Sequence, residues 1–270
     1  MKYGYNTLKY LKKNFFKLIP FVILPAIGLA FTDNIASFIT FFFNFELNTT
    51  SVWTVYSFFT LIGSRSWSIG IMSVIVLVFF ESLLFGAIDR HLKVGRFSFG
   101  KSFSTLNETV MIVVPTVLLL VGAYELVAFF NAVIIYFFQI IIPSVAIFAG
   151  ILSTFLLYSG LTILLIQFSE VIPAVLVVGY PINDACVFST RMVSGKTKKI
   201  ALNFVIMAVG ACVISMLFSF VPGKWVSIIA DIIIYMIMIM YVTVFIMVTF
   251  FDLSGEPRRD TQAKPKNYLT

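Results

Sequence analysis

Cysteine, histidine and charge are all scarce in this chain of 270 residues, which has two cysteines, one histidine and charged side chains at 11% of positions. Each scarcity excludes something. Cys186 and Cys212 allow no disulfide framework and no ligand spacing; one falls in a basic segment and the other in an apolar run, as free thiols would. His91, beside Asp89 and Arg90 at the edge of an apolar run, has no second histidine to share a metal and reads as an interface residue. Soluble domains carry about 25% charged and about 45–50% apolar residues. With 60% apolar residues and a mean hydropathy of +1.03, this chain could not hide its apolar surface in one soluble core. The net charge of +7 does not point to nucleic acid, because the basic residues sit in short clusters between apolar runs.

What the chain has is long apolar runs. A bilayer core of about 30 Å takes about 20 helical residues. Six stretches meet that length: 15–31, 69–88, 109–130, one within 144–178, 200–221 and 225–250. The expected fold is all-α and polytopic, a single transmembrane domain over residues 1–253 with about six helices in three hairpins. Pro20 and Pro25 predict a kink in the first span. Residues 126–180 are poorly punctuated and fit either one long helix after a turn near Asn131–Pro143 or two shorter ones. Charge decides between these. With six spans, every basic residue except Arg65 and Lys224 lies on one side, and a seventh would break that bias. Both termini are therefore expected in the cytoplasm and the chain in the cell membrane.

The first apolar run also resembles a secretory signal, with Gly28-Leu29-Ala30 as a cleavage site, but its long aromatic n-region and its prolines favour an uncleaved span. Residues 32–68 form the largest outer segment. Phe38, Phe41, Phe42, Phe43 and Phe45, then Trp53, Tyr56, Phe58 and Phe59, suit the headgroup region, as interfacial or re-entrant helices or as an extension of the first span. The tail 254–270 is polar and rich in helix breakers, and is expected to be a disordered cytoplasmic end.

Three basic stretches have two-faced helical patterns. In the first, Lys2, Asn6, Lys9 and Lys13 oppose Leu8, Leu11 and Phe15. The second sets Phe99, Phe103, Leu106 and Val110 against Ser98, Lys101, Thr105 and Glu108. The third, after an Asn183-Asp184 cap signal, sets Ala185, Phe188 and Met192 against Asp184, Arg191 and Ser194, with Gly195 as its stop. Each predicts an amphipathic interfacial helix on the cytoplasmic side, leading into a hairpin. Lys9, Lys12, Lys13, Arg90, Lys93, Arg96, Lys198 and Lys199 are the basic residues expected to face lipid headgroups.

Leu92-Lys93-Val94-Gly95-Arg96-Phe97-Ser98-Phe99 with Ser102-Phe103, and the run from Asn183 to Lys196, resemble two stretches of a bacterial family. These are six-span proteins related to the membrane module of glycerophosphoryl diester phosphodiesterases. The resemblance lies in layout over residues 1–250. It implies a helical membrane module and no catalytic residues, since the phosphodiesterase activity belongs to a separate soluble domain.

Four ionisable residues fall inside predicted spans and are the candidate intramembrane polar site: Glu81, Glu170, Glu125 and Asp231. Glu81 and Glu170 are expected toward the inner side, Glu125 and Asp231 toward the outer. The functional reading is a proton, cation or headgroup path; for the outer pair, the alternative is an interfacial position with Lys224 or Arg65 as partner to Asp231. Gly150, Thr154 and Gly160 offer small surfaces for close helix approach, and the ten methionines read as helix filler rather than metal ligands. No Walker loop, zinc-protease helix or serine–histidine pair is present, so no catalytic residue, metal or cofactor is expected. The leading expectation is a non-enzymatic membrane scaffold or a subunit of a membrane complex. The alternative is a transporter or ABC-type permease subunit moving a small molecule, ion or lipid. Expected partners are the bilayer, other membrane subunits or a cytoplasmic ATPase, and no nucleic acid.

Overall fold

In a computed structural model of the chain, residues 2–32, 41–42, 51–62, 67–95, 97, 106–221 and 223–260 are described. They form α1 (Lys2–Thr32), α2 (Val52–Tyr56), α3 (Trp67–Val94), α4 (Leu106–Ile141), α5 (Pro143–Phe168), α6 (Val171–Pro173) with a π-helical turn (Ala174–Val178), α7 (Ile182–Val193), α8 (Thr197–Ser219) and α9 (Lys224–Ser254). Among the described residues there is no strand. Six helical spans are long and apolar enough to cross a bilayer, within α1, α3, α4, the α5–α6–π run, α8 and α9. The six spans stand as expected; most extend beyond the apolar stretch that signalled them, whereas α8 starts earlier, at Thr197, and ends earlier, at Ser219. The turn between α4 and α5 is a single residue, Ile142, with Pro143 opening α5, where a missing N–H does no harm.

The spans pack around in the order α1, α3, α4, α5, α8, α9, with α9 closing back on α1 and also touching α3. The packing is lopsided. From Ser82 to Ile88 every residue of α3 is buried, and from Met247 to Phe251 the same holds for α9. A helix buried all round must lie inside a core. Both stretches lie at the end of the bundle where the two chain termini emerge, the termini end. At the opposite end α3 exposes Ile69, Ile71, Met72 and Ile75, while α4 and α8 bury only 11% and 17% of their apolar windows, against 61% for α9. Such exposure is stable only with lipid, or another membrane helix, as solvent.

The three amphipathic stretches fare differently. The first is no separate element: α1 runs unbroken from Lys2 through Pro20 and Pro25. Its buried face is Thr7, Tyr10, Asn14 and Leu18, while Leu8 is 57% exposed. Packing between α3 and α9 sets that face, and local amphipathicity does not. The second lies outside the described residues up to Thr105, and from Leu106 onward it is the start of α4. The third is α7, and Ala185, Phe188 and Met192 face inward while Asp184, Arg191 and Ser194 are exposed. Its N-cap is Pro181, without a side-chain cap, rather than Asn183, and Asp184 sits in the first turn; Gly195, with φ +77°, follows its end.

Candidate functional site

The fourth span is the irregular one. α5 stops at Phe168, and Ser169 and Glu170 break the run before α6 resumes it. A broken span frees backbone groups that lipid cannot satisfy. Here α7 supplies the partner. The Ser189 hydroxyl donates to the Gln167 carbonyl (2.6 Å) and accepts from the Glu170 N–H (3.2 Å), so one side chain bridges the break. Ser169 turns its hydroxyl back onto the Ile166 carbonyl (2.8 Å), and the Glu170 carbonyl takes the Ala174 N–H (2.9 Å). Beyond the π turn, Gly179 ends the run at φ +84°, and Lys93 reaches over from α3 to donate to the Leu176 carbonyl (3.0 Å). A cation on the last carbonyls of a helical run is favourably placed.

These backbone groups of the break thus find partners, whereas the Glu170 carboxyl is poorly served. The residue is 1% exposed, and among the described residues neither carboxyl oxygen has a hydrogen-bond partner of good geometry, with the Ser169 hydroxyl as the polar group beside it. The adjoining Ser169 hydroxyl is committed to Ile166.

The other three candidate acids are engaged differently. Glu125, on α4, is clamped by residues 56–62. The hydroxyls of Tyr56 (2.6 Å) and Thr60 (2.7 Å) donate to one carboxylate oxygen, and the N–H groups of Leu61 (2.9 Å) and Ile62 (3.2 Å) to the other. Burial, and then the hydrogen bond to Glu125, push the Tyr56 phenol up to about 12, so the donor stays protonated. The aromatics around it form a small core, Phe41, Val55, Tyr56 and Phe59 against Ala128, Ala132 and Ile135 of α4. Asp231, on α9, is buried and accepts from the Ser215 hydroxyl of α8 at 2.7 Å. Arg65 and the Lys224 side chain, its expected partners, lie outside the described residues. Glu81, on α3, is half-buried with the Thr243 hydroxyl of α9 beside it. The four acids stand at four separate places, and no described hydrogen bond joins any two of them.

Two polar clusters went unnoticed in the sequence. At the termini end, residues 255–260 fold back over the helix ends. Arg258, its side chain 11% exposed, pairs with Asp252 (3.2 Å) and Asp260 (3.0 Å); Asn6 donates to Asp252 (2.6 Å), Lys13 to the Asp260 carbonyl (3.2 Å), and the Arg259 N–H to the Leu92 carbonyl (2.9 Å). Burial alone would lower the Arg258 pKa, but the two aspartates outweigh it and raise it. This part of the tail, expected to be disordered, is therefore strapped down; residues 261–270 lie outside the described residues. Beneath the strap the Tyr10 hydroxyl and His91 Nδ1 share a hydrogen bond of 2.7 Å, with His91 4% exposed, so the histidine is a core residue rather than a surface one. The second cluster joins α4 to α5, where Asn131 donates to Thr154 (2.8 Å) and accepts from Ser153 (2.7 Å).

Of the basic residues expected at the headgroups, Lys9, Lys12, Lys13, Lys198 and Lys199 are exposed and Arg90 is half-buried. Lys93 is held by Asp89 (3.0 Å) as well as by Leu176, and Arg96 lies outside the described residues. Among the described residues no three His, Cys, Asp or Glu side chains gather where a metal ion could be held.

The class these observations define is a six-span, all-helical integral membrane protein. No family model, curated protein or solved structure matches the chain.

Proposed function

We propose that this chain is a non-enzymatic subunit or scaffold of a larger assembly in the cell membrane, with its termini in the cytoplasm. The observation that carries this reading is the lopsided burial. α1, α3 and α9 make a dense unit, while α4 and α8 bury only 11% and 17% of their apolar windows and α5, between them, buries six of its 26 residues. Gly122 on α4, Gly160 on α5 and Gly210 on α8 each have open space where a Cβ would stand. Glycines on membrane helices allow close approach of a second helix, and here no described residue of the chain uses them. The resemblance in layout to a family whose catalysis resides in another domain agrees with this.

The test is disulfide-trapping in native membranes, with Cys186 and Cys212 replaced and single cysteines at Leu119 on α4 and Val209 on α8, both facing outward. Adducts of defined mass from those positions, absent from Ile23 on α1, support the reading. A chain that extracts as a monomer and gives adducts from neither position overturns it.

A second reading, a transporter or permease subunit, is favoured by the broken fourth span with its buried carboxyl, since discontinuous helices commonly form substrate and ion sites. α7, exposing Val187 and Arg191, is then where a cytoplasmic ATPase docks. If Glu170→Gln fully complements a deletion strain, the ion-coupled form of this reading fails.

A further inference from the structure

We infer that the break at Ser169–Glu170 is a closed site for a single positive charge, a proton or a monovalent metal ion on the Glu170 carboxyl, and that its occupancy is transmitted to α7 through Ser189. The inference stands apart from the role of the chain as subunit or transporter.

The need for a charge follows from the surroundings. An ionised carboxylate buried without donors loses many kcal/mol of hydration, so a low-dielectric site holds it only with a proton or a counter-ion. Glu170 is 1% exposed; among the described residues neither of its oxygens has a hydrogen-bond partner of good geometry, and the Ser169 hydroxyl beside it, which donates to the Ile166 carbonyl, is a single neutral group that cannot balance the charge. α6 packs against α4, α7 and α9, and their described charged groups face elsewhere. Asp184 and Arg191 of α7 are exposed. Glu125 of α4 is taken by four donors, Asp231 of α9 by Ser215, and Asp252 by Asn6 and Arg258. α5 carries no charged residue, and Lys93 spends its ammonium on Asp89 and on the carbonyl six residues beyond Glu170. One carboxylate balances one charge, and the described acids of the packed elements are engaged elsewhere rather than beside it as partners for a divalent ion.

The transmission follows from the bridge. Ser189 holds the Gln167 carbonyl and the Glu170 N–H with one hydroxyl. An emptied, charged carboxyl must seek water or a donor, and a displacement of Glu170 loosens the N–H contact that ties the break to Ser189 of α7. Cys186 lies one turn before Ser189 on the same helix, as a half-buried free thiol. It is a reporter already in place.

The experiment uses the full chain in lipid nanodiscs with Cys212→Ser, leaving Cys186 as the only thiol. Its maleimide labelling rate is followed in sodium, potassium, lithium or choline chloride at constant ionic strength. It is followed again across pH in choline chloride, normalised to the rate of a Ser189→Ala protein so that thiol ionisation cancels. Occupancy is expected to slow labelling by about tenfold, as for a locally opened helix that closes. Glu170→Gln is expected to label at the slow rate and respond to nothing. A response to one metal ion assigns that ion; a response to pH alone, with an infrared carbonyl band of a neutral carboxylic acid that Glu170→Asp shifts, assigns the proton. The infrared band and Glu170→Asp keep the test open should the glutamine variant fail to fold. Wild-type labelling indifferent to pH and to every ion, or a folded Glu170→Gln protein that responds like wild type, overturns the inference.

Discussion

Replacing Glu125 tests how the outer segment is held. Its carboxylate receives two hydroxyls and two backbone N–H groups from residues 56–62. The two N–H groups are not equivalent. Ile62 also donates to the Thr60 hydroxyl at 3.1 Å, whereas Glu125 is the partner found for Leu61. A hydrogen bond to a charged group contributes about 1.5–3 kcal/mol, and at a half-buried site about 2 kcal/mol is the expected loss in Glu125→Ala. Because about 1.4 kcal/mol is tenfold in an equilibrium, amide exchange at Leu61 should quicken by roughly 30-fold. Ile62, with its second acceptor, should change less. Glu125→Gln keeps an acceptor for the N–H groups and a donor for the hydroxyls, losing only charge assistance, about 1 kcal/mol or roughly fivefold. Hydrogen exchange read by mass spectrometry at single-residue resolution in nanodiscs supplies the numbers. Equal exchange at Leu61 in wild type and alanine variant would refute the clamp. So would a glutamine variant as damaged as the alanine one.

Four further outcomes are expected. Because the folded pKa of Tyr56 lies above its ordinary value of 10.0, at about 12, the clamp keeps its strength below about pH 10 and loses it as pH rises toward 12; a tyrosinate absorbance titration of wild type minus Tyr56→Phe should show that late step, and a step near 10 would contradict it. Arg258→Gln removes a guanidinium from two aspartates at a largely buried site, at a loss of about 2–3 kcal/mol, so limited proteolysis should cut residues 255–260 far sooner than in wild type. In Gly70→Ala the new Cβ would collide with the Ile62 backbone, and thermal unfolding should show a loss beyond about 3 kcal/mol, whereas Gly122→Ala meets open space and should stabilise the isolated chain by up to about 1 kcal/mol. Asn131→Leu breaks two hydrogen bonds between α4 and α5, yet such bonds average about 0.6 kcal/mol in membranes, so a loss of only about 1 kcal/mol is expected in a denaturant titration.

Glu170 could be suspected from the sequence because a carboxyl in an apolar run is conspicuous whatever it touches. Glu125 was conspicuous for the same reason, yet its four donors come from an aromatic segment more than sixty positions away. The Arg258 strap was hidden because Pro257-Arg258-Arg259-Asp260 has the composition of a disordered tail; only proximity to Asp252 and Asn6 gives Arg258 its partners. His91 gave no sign of burial, since Tyr10 stands 81 positions away in sequence. Leu8 misled in the other direction: its spacing with Leu11 and Phe15 marks an apolar face, but lipid accepts that face as readily as protein does.

Hydropathy is a property summed over a segment, so the solvent, the number of spans and the helical class were all determined by the order of residues along the chain. Even the turn at Pro143 and the end of α7 at Gly195 are local chemistry. Which face of each helix turns inward was decided only by the tertiary structure, and with it which acids find donors. In a bilayer apolar residues are welcome on either side, and what separates the two sides is close packing and polar pairing between distant helices. Glu125 acquired a clamp and Asp231 a serine in that way, while Glu170 was left, bridged by Ser189 behind it, with a carboxyl that no well-aligned donor among the described residues reaches.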